Sequence, residues 1–330
     1  MKLSKFSLAR RASVLFLAGL ASAVSFSVSA QGTYPDKPVR IVVGFSAGGS
    51  TDVVARLLAK ELGEELGQSF IVENKPGAGS NIAAEYVVKS PADGYTLLMM
   101  AVTSAINQTL YPNLKFDVIK DLTPVALGAK VPNLLVVNPK VPVNSVKELV
   151  EYANKNPGKL NFASSGSGTS IHMTGELFKI NTKIDVSHIP YKGSSPAMTD
   201  LVGGQVQFMF DNMPSALPLV KSGKLRALAV TAPQRSPAAP DVPTMAEAGF
   251  PGFDVSSWFG LMAPAKTPDA IVQKLNAAVA KALTKPELKS RLAELGSTSQ
   301  SMTSAEFGDF VKNEVKVWGG VVKASGAQVD

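Results

Sequence analysis

The chain has 330 residues, of which 45% are hydrophobic and 18% charged, as expected for a globular protein large enough to form two domains. It contains no cysteine, which excludes disulfides, thiol catalysis and thiolate metal sites. Without residues 1–30, which carry four basic and no acidic side chains, 29 basic residues face 26 acidic ones. The remaining net charge is only +3 and forms no basic block, so a nucleic-acid partner is not expected.

The first thirty residues have the pattern of a secretory signal peptide. A basic start with Lys2, Lys5, Arg10 and Arg11 precedes an apolar run, and the run 28–30 supplies the small residues of a cleavage site. A membrane anchor is the alternative, but the run is rich in Ser and Ala and only weakly apolar. We therefore expect export, cleavage near Ala30 and a periplasmic protein.

The rest of the chain alternates short β-branched runs with helical patterns, which predicts an α/β protein with mostly parallel strands. In the first half, strands are predicted at 39–45, 69–74 and 93–102, with helices at 52–66 and 81–89. A run at 123–139 contains three prolines and a strand-like stretch. We interpret it as a crossing between two domains.

The same construction restarts after this crossing. A capping box from Ser145 to Glu148 opens a helix, and strands are predicted at 160–164, 183–192, 205–212 and 224–232, with helices at 170–180 and 195–204. A run at 253–264 is interpreted as the return crossing. The tail is predicted to be helical, with one helix capped by Thr267-Pro268 and another by the capping box Thr303 to Glu306.

The stretch "GFSAG", Gly44 to Gly48, has the spacing of a nucleophile elbow, which raises the hypothesis of a secreted serine hydrolase using Ser46. Two requirements of that chemistry are not met. The turn follows the first strand, so no earlier strand supplies a second oxyanion donor. Only His172 and His188 could act as the base, and both are more often structural in such positions. The sequence therefore disfavours the hydrolase hypothesis.

A glycine-rich turn between a strand and a helix can instead bind an anion through the free backbone N–H groups of the helix start. The stretch "GFSAGGST" is close to a phosphate-binding loop, but Ser50 stands where that loop has its lysine. Asp52 would also repel a highly charged ligand. A singly charged carboxylate fits this turn better, and an ordinary tight connection capped by Ser50 fits it equally well.

A second turn of the same kind lies in "ASSGSGTSIHM", from Ala163 to Met173, again between a strand and a helix. Both turns would lie at the carboxyl ends of strands, where open α/β sheets bind their ligands. Two uncharged donor turns on two domains could hold both ends of a small dianion, and two crossing segments can form a hinge. Together with export, this indicates a periplasmic solute-binding protein.

Five blocks carry a resemblance to a known family: "YPDKPVRIVVGFSAGGSTDVVARLLAKEL", "VENKPGAGSNIAAEYVVKSPADGYTLL", "FASSGSGTSIHMTGELFK", "HIPYKGSSPAMTDLVGGQVQFMFDN" and "GKLRALAVTAPQRSPAAPDVPTMAEAGFPGF". From about residue 34 to 324 the chain resembles the substrate-binding components of tripartite tricarboxylate transporters, the Bug-type receptors. The resemblance implies a type II periplasmic-binding-protein fold of two doubly wound α/β domains joined by two crossing strands. It also implies a small carboxylate ligand, a two-component membrane permease as partner, no cofactor and no chemistry on the ligand.

On this basis the expected domains are 31–131 plus 253–330 and 132–252, in a protein expected to be a monomer. Carried over by position, the resemblance implies ligand contacts at the two turns, at the end of the third strand and at strand ends lining the cleft, where Asn212 also lies. The implied ligand-binding residues are Phe45, Ala47, Gly48, Gly49, Ser50, Thr51, Asp52, Thr103, Ser104, Ser164, Ser165, Gly166, Ser167, Gly168, Thr169, His172, Tyr191, Lys192, Gly193 and Asp211. For Asp211 three roles stay open, namely binding a ligand amino group, binding a water and capping a helix.

Overall fold

The computed structural model describes residues 34–251, 253 and 255–325, so the predicted signal peptide and its cleavage site near Ala30 lie outside the described residues. The strands are β1 (Val39–Val43), β2 (Phe70–Asn74), β3 (Thr96–Ala101), β4 (Leu122–Val137), β5 (Leu160–Ser164), β6 (Val186–Pro190), β7 (Phe208–Asn212), β8 (Arg226–Val230) and β9 (Ser256–Pro264). The helices are α1 (Ser50–Leu66), α2 (Asn81–Val88), α3 (Val102–Leu110), α4 (Val146–Lys155), α5 (Ser170–Thr182), α6 (Ser194–Gly203), α7 (Met213–Lys221), α8 (Asp269–Ala282), α9 (Pro286–Glu294) and α10 (Ser304–Ser325).

The strands pair in the order β2-β1-β3-β9-β4-β7-β5-β6, and β8 also pairs with β4. Pairing is parallel among β1, β2 and β3 and among β5, β6 and β7, whereas β9 pairs antiparallel with β3 and β4, as does β4 with β7 and β8. The two predicted crossings are thus the paired strands β4 and β9. The expectation of mostly parallel strands holds only within each half, because the crossing strands add antiparallel pairs.

We call β1–β3 with α1–α3 the first lobe, and β5–β8 with α4–α7 the second lobe. Apolar side chains fill the space between sheet and helices on both sides of β4, as the alternation of strands and helices requires. In the second lobe Phe162, Phe178 and Phe208 are fully buried, and the ring of Phe208 contacts both of the others. On the other side, Trp258 of β9 packs edge-on against Phe307 of α10.

Both predicted capping boxes are confirmed. The Ser145 hydroxyl accepts a hydrogen bond of 3.1 Å from the N–H of Glu148, and the Thr303 hydroxyl accepts one of 3.2 Å from the N–H of Glu306. The cap predicted at Thr267-Pro268 is confirmed for Pro268, which occupies the N-cap position of α8. It is wrong for Thr267, whose hydroxyl donates to the carbonyl of Pro264 instead.

Three helices were not predicted. The third strand was expected to continue to residue 102, but α3 begins at Val102, so Thr103 and Ser104 lie in the first turn of a helix and not at a strand end. α7 contains Pro214 in its first turn, where proline is tolerated, and Pro218 inside the helix. A proline inside a helix is unusual, so Pro218 argued against a helix here. α9 begins with a proline directly after α8.

Candidate functional site

The first glycine-rich turn leads from β1 into α1. Gly49 precedes the helix, and no side chain caps its first amides, which have no acceptor within the helix. The expectation that Ser50 caps the helix is therefore wrong, since Ser50 is already its first residue. Gly48 adopts a left-handed conformation with φ of 81°, which a residue with a side chain rarely takes. Its N–H donates to the carboxylate of Asp52, 2.9 Å away, and this bond fixes the turn.

Asp52 is held by the turn itself. Its carboxylate also accepts hydrogen bonds of 2.9 Å from Arg56 and 2.9 Å from Asn74, whose amide reaches the carbonyl of Phe45 as well. Burial alone would raise the pKa of Asp52, but the hydrogen bonds from Arg56, Gly48 and Asn74 outweigh it and hold the pKa below its ordinary value. The carboxylate is thus ionised, and Arg56 balances its charge.

The second turn leads from β5 into α5 and is ordered by its own hydroxyls. The Thr169 hydroxyl donates to the carbonyl of Gly166 and accepts from the N–H of His172, so it caps α5. The Ser164 hydroxyl lies at 3.1 Å from the N–H of Gly166, which donates to it. Gly166 and Gly168 have positive φ values of 133° and 78°. The hydroxyls of Ser164 and Thr169 are therefore engaged within the turn.

The two histidines lie together behind this second turn. Their rings stack with centroids 3.9 Å apart, and His188 contacts the Ser164 hydroxyl at 2.6 Å, while His172 accepts from the N–H of Gly168. Burial lowers the pKa of both rings, that of His188 to about 3, where the neighbouring His172 adds to the effect. The Ser46 hydroxyl is buried without a hydrogen-bond partner among the described residues. Neither histidine is engaged with Ser46, which a hydrolase mechanism requires.

A small cavity between the lobes, the inner void, collects the starts of five helices. α1 and α3 reach it from the first lobe, and α5, α6 and α7 reach it from the second. Its volume is about 10 Å³, enough for about one water molecule. Its lining residues are Phe45, Gly49, Ser50, Thr51, Ala101, Thr103, Ser165, Thr169, Ser170, Ile171, Ser194, Asn212, Ser257 and Phe259. None of these residues carries a charged side chain.

An outer cavity of about 220 Å³ shares two wall residues, Phe45 and Ser165, with the inner void. The other residues around it are Gly44, Gly77, Ala78, Gly79, Ser80, Tyr111, Gly166, Ser167, Pro190, Tyr191 and Lys192. Two larger grooves have volumes of about 730 and 530 Å³. The first lies beside α1 and β2, and the second lies between α6, α7 and the end of α9, where Gly48 and Val53 of the first lobe also line it. The convergence of helix starts, not the volume, singles out the inner void as the candidate site.

The predicted ligand residues fall into three groups. Those at the inner void are Phe45, Gly49, Ser50, Thr51, Thr103, Ser165 and Thr169. Those at the outer cavity alone are Gly166, Ser167, Tyr191 and Lys192. Those that line neither are Ala47, Gly48, Asp52, Ser104, Ser164, Gly168, His172, Gly193 and Asp211. The two predicted turns therefore do meet at one cavity, although several of their side chains face elsewhere.

The sequence reasoning missed six residues at the inner void, which are Ala101, Ser170, Ile171, Ser194, Ser257 and Phe259. Ser170 and Ser194 are the first residues of α5 and α6, so a general search for helix starts after strands would have found them. Ser257 and Phe259 lie two residues apart on β9 and so on one face of that strand. That face could be assigned only after the pairing of β9 was known.

Asp211 lies behind the inner void, fully buried on β7. Its carboxylate accepts hydrogen bonds from the hydroxyl of Ser194 at 2.6 Å, from the hydroxyl of Ser215 and from the N–H of Asn212. Burial raises the pKa of Asp211 to about 6, and these hydrogen bonds only partly oppose it. Of the three open roles, helix capping gains no support, because the Asp211 carboxylate accepts hydrogen bonds from the hydroxyls of Ser194 in α6 and Ser215 in α7 and not from N–H groups of the first turn of either helix.

The lobes touch along a seam beside the inner void. The N–H of Ser46 donates to the carbonyl of Lys192 at 3.2 Å, and the hydroxyls of Ser50 and Ser215 lie 2.8 Å apart. Glycines make the approach possible: a Cβ on Gly79 would lie 2.8 Å from the carbonyl oxygen of Ser167. Backbones of the two lobes therefore meet at distances that side chains would prevent.

The described residues contain neither a metal-binding cluster nor a membrane-spanning helix. In residues 34–251, 253 and 255–325, no three or more His, Asp and Glu side chains cluster so as to hold a metal ion. None of the helices in the same part of the chain is long and apolar enough to cross a membrane.

Two α/β lobes joined by long crossing strands, with helix starts of both lobes meeting at an uncharged void, define a periplasmic binding protein of the solute-binding class. A family model described as the tripartite tricarboxylate transporter family receptor matches residues 54–327. The chain belongs to this family of substrate-binding receptors, as the resemblance of its sequence indicated.

Individual relatives agree with this assignment. The chain is 40% identical over 314 residues to BugT of Bordetella pertussis, covering 94% of this chain and 95% of that protein. A solved R. palustris protein described with adipate is 40% identical with a TM-score of 0.87, covering 90% of this chain and 100% of that one. MatC of Rhodopseudomonas palustris, solved with bound malate, is 38% identical with a TM-score of 0.83, covering 88% and 100%.

Proposed function

We propose that the protein captures a small carboxylate at the inner void and delivers it to a two-component membrane permease. One observation carries this proposal, which is the convergence of five helix starts from both lobes on a lining without charged side chains. Each helix start has orphan N–H donors and about half a positive charge from the helix dipole. A carboxylate fits such a site without a lysine or arginine.

The relatives support a ligand of this class. One is described with adipate and another with malate, and the family is that of tripartite tricarboxylate transporter receptors. The ligand contacts would come mainly from main-chain N–H groups, among them those of Ser50, Thr51 and Ser170. Hydroxyls such as that of Thr103 would complete the site.

Binding requires the lobes to move apart, because a void of about 10 Å³ is too small for a dicarboxylate. We propose a first domain of 31–131 plus 253–330, a second domain of 132–252, and a hinge within β4 and β9. Opening would break the seam bonds between Ser46 and Lys192 and between Ser50 and Ser215. Closure around the carboxylate would restore them.

The mature protein is proposed to be a periplasmic monomer, cleaved near Ala30, that binds its ligand without a catalytic step or cofactor. Amino-terminal sequencing of the protein purified from the periplasm should begin at or near Gln31. Light scattering should give the mass of one chain. Ester hydrolysis that disappears in Ser46→Ala would instead revive the hydrolase hypothesis.

The decisive experiment is a thermal-shift titration with matched acids and amides, such as succinate against succinamide. A ligand that binds only the folded protein raises its stability by RT ln(1 + [L]/Kd), about 2.7 kcal/mol at a hundredfold excess over Kd. We expect at least one acid to raise the melting temperature while its neutral amide does not. Equal shifts from acid and amide, or no shift with any acid, would contradict the proposal.

A further inference from the structure

Asp211 and two serine hydroxyls form a hydrogen-bond network with a defined direction. The Asp211 carboxylate accepts from the hydroxyls of Ser194 and Ser215, and each hydroxyl has a single proton to give. No other hydrogen-bonding side chain among the described residues reaches this carboxylate. With a pKa raised to about 6, the group is still mainly ionised at neutral pH and so acts as an acceptor only.

The direction of these bonds fixes the neighbouring hydroxyl as well. The Ser215 hydroxyl reaches both the Asp211 carboxylate and the carbonyl of Asn212, the latter at 3.0 Å, and the charged carboxylate is the stronger acceptor. With the Ser215 proton on Asp211, the Ser215 oxygen accepts and the Ser50 hydroxyl at 2.8 Å donates to it. The Ser50 oxygen in turn accepts the N–H of Ser215 at 3.1 Å. The Ser50 hydroxyl is therefore used at the seam and has no proton left for a ligand.

Ser194 differs from Ser50 because it lines the inner void while its proton points away to Asp211. With that proton engaged, the Ser194 oxygen has only lone pairs left for a ligand bound in the void. This acceptor therefore lies on the same void as the N–H groups that would hold a carboxylate, and Ser194 approaches Gly49 of the first turn through its Cβ and N.

We propose that Ser194, oriented by Asp211 as a positioning residue, selects carboxylic acids that carry a hydrogen-bond donor, a hydroxyl or an ammonium group, on the carbon next to a carboxylate. This inference rests on the proposed function and names its substrate class. A ligand without such a donor would leave the free lone pairs of the buried Ser194 oxygen without a partner, which a buried polar site penalises.

The test compares each acid with its partner that lacks the donor: malate with succinate, lactate with propionate, and mandelate with phenylacetate. Dissociation constants are measured by calorimetry for the wild type, Ser194→Ala and Asp211→Asn. Ser195→Ala is the matched control, because Ser195 is the next residue of α6 and lines an outer groove instead of the void. Asp211→Asn keeps the volume of the side chain and tests the proposal if Ser194→Ala does not fold.

In the wild type we expect the acid with the donor to bind about tenfold or more tightly than its partner, the value of one hydrogen bond. This ratio should fall to about one in Ser194→Ala and Asp211→Asn and persist in Ser195→Ala. A purely structural role would weaken both acids equally and leave the ratio unchanged, which would overturn the inference.

The remaining outcomes separate the two proposals. Equal binding of both members of a pair by the wild type, or binding only of carboxylates outside these pairs, would overturn the selection by Ser194 and leave carboxylate capture standing. Absence of binding by every carboxylate, in protein that unfolds cooperatively, would overturn both.

Discussion

Substitution of Gly79 tests the seam most directly, because a control variant separates the cost of its backbone conformation from the cost of its contact with the opposite lobe. With φ of 56° and ψ of 44°, Gly79 lies in the left-handed region, where an alanine costs about 1–2 kcal/mol. A Cβ there would also lie 2.8 Å from the carbonyl oxygen of Ser167 in the opposite lobe, where ordinary contacts begin at 3.4 Å. Gly79→Ala therefore requires the second turn to withdraw by about half an ångström.

Gly67→Ala is the matched control. Gly67 ends α1 with φ of 70° and ψ of 16°, the same region of backbone space, but a Cβ there has no atom within 4 Å. Both variants should lose about 1–2 kcal/mol of unfolding free energy, measured by urea denaturation. Only Gly79→Ala should also lose affinity for the best carboxylate of the thermal-shift panel, because the donor turns of the two lobes can no longer approach fully.

Weakening one or two hydrogen bonds, at about 1 kcal/mol each, corresponds to a rise in Kd of about five- to thirtyfold, measured by calorimetry. The reasoning is refuted if Gly79→Ala binds that carboxylate as tightly as Gly67→Ala does. Equal loss of affinity in both variants would refute it too, since Gly67 lies away from the seam.

Four further predictions concern stability, each measured by urea unfolding. Asp211 has a folded pKa of about 6 against an ordinary value of 3.8, so its contribution to the free energy of unfolding is full below pH 3.8. About 3 kcal/mol of that contribution is lost as the pH rises through 6. Asp211→Asn should abolish this loss, and a variant with the pH profile of the wild type would contradict the prediction. His188 has the opposite sign, because its lowered pKa gives stability above pH 6.5 that disappears toward pH 3, and His188→Gln should flatten that acid limb. Glu314→Ala should lower the free energy of unfolding by about 1–3 kcal/mol, because it removes the acceptor of the buried indole N–H of Trp258 at 2.8 Å. Ser145→Ala should lower it by about 1 kcal/mol, because α4 loses its N-terminal cap.

Local chemistry explains what the sequence predicted well. The capping boxes at Ser145 and Thr303 need only contacts within one helical turn, so they could be recognised from residue types and spacing. The two glycine-rich turns could be found in the same way. Their meeting at one void follows from the rule that ligands bind at the carboxyl ends of strands.

Long-range pairing explains what could not be predicted. Asp211 was recognised as a cleft residue, but its partners Ser194 and Ser215 lie on two other elements, 17 residues before it and four after it. The apolar run that ends β3 continues into α3 without a break in composition, so the helix start at Val102 had no local signal. The role of Ser257 depends on how β9 pairs, which no short pattern encodes.

The five helix starts at the inner void have a consequence for motion. Each carries about half a positive charge, so two positive ends of the first lobe face three of the second. In the absence of an anion these ends repel one another, and approach of the lobes is opposed by their own backbones. A carboxylate between them acts as a shared counterion and turns the repulsion into attraction. In the proposed site the ligand would thus be part of the electrostatic attraction between the lobes, and a neutral molecule of the same shape would not draw the lobes together.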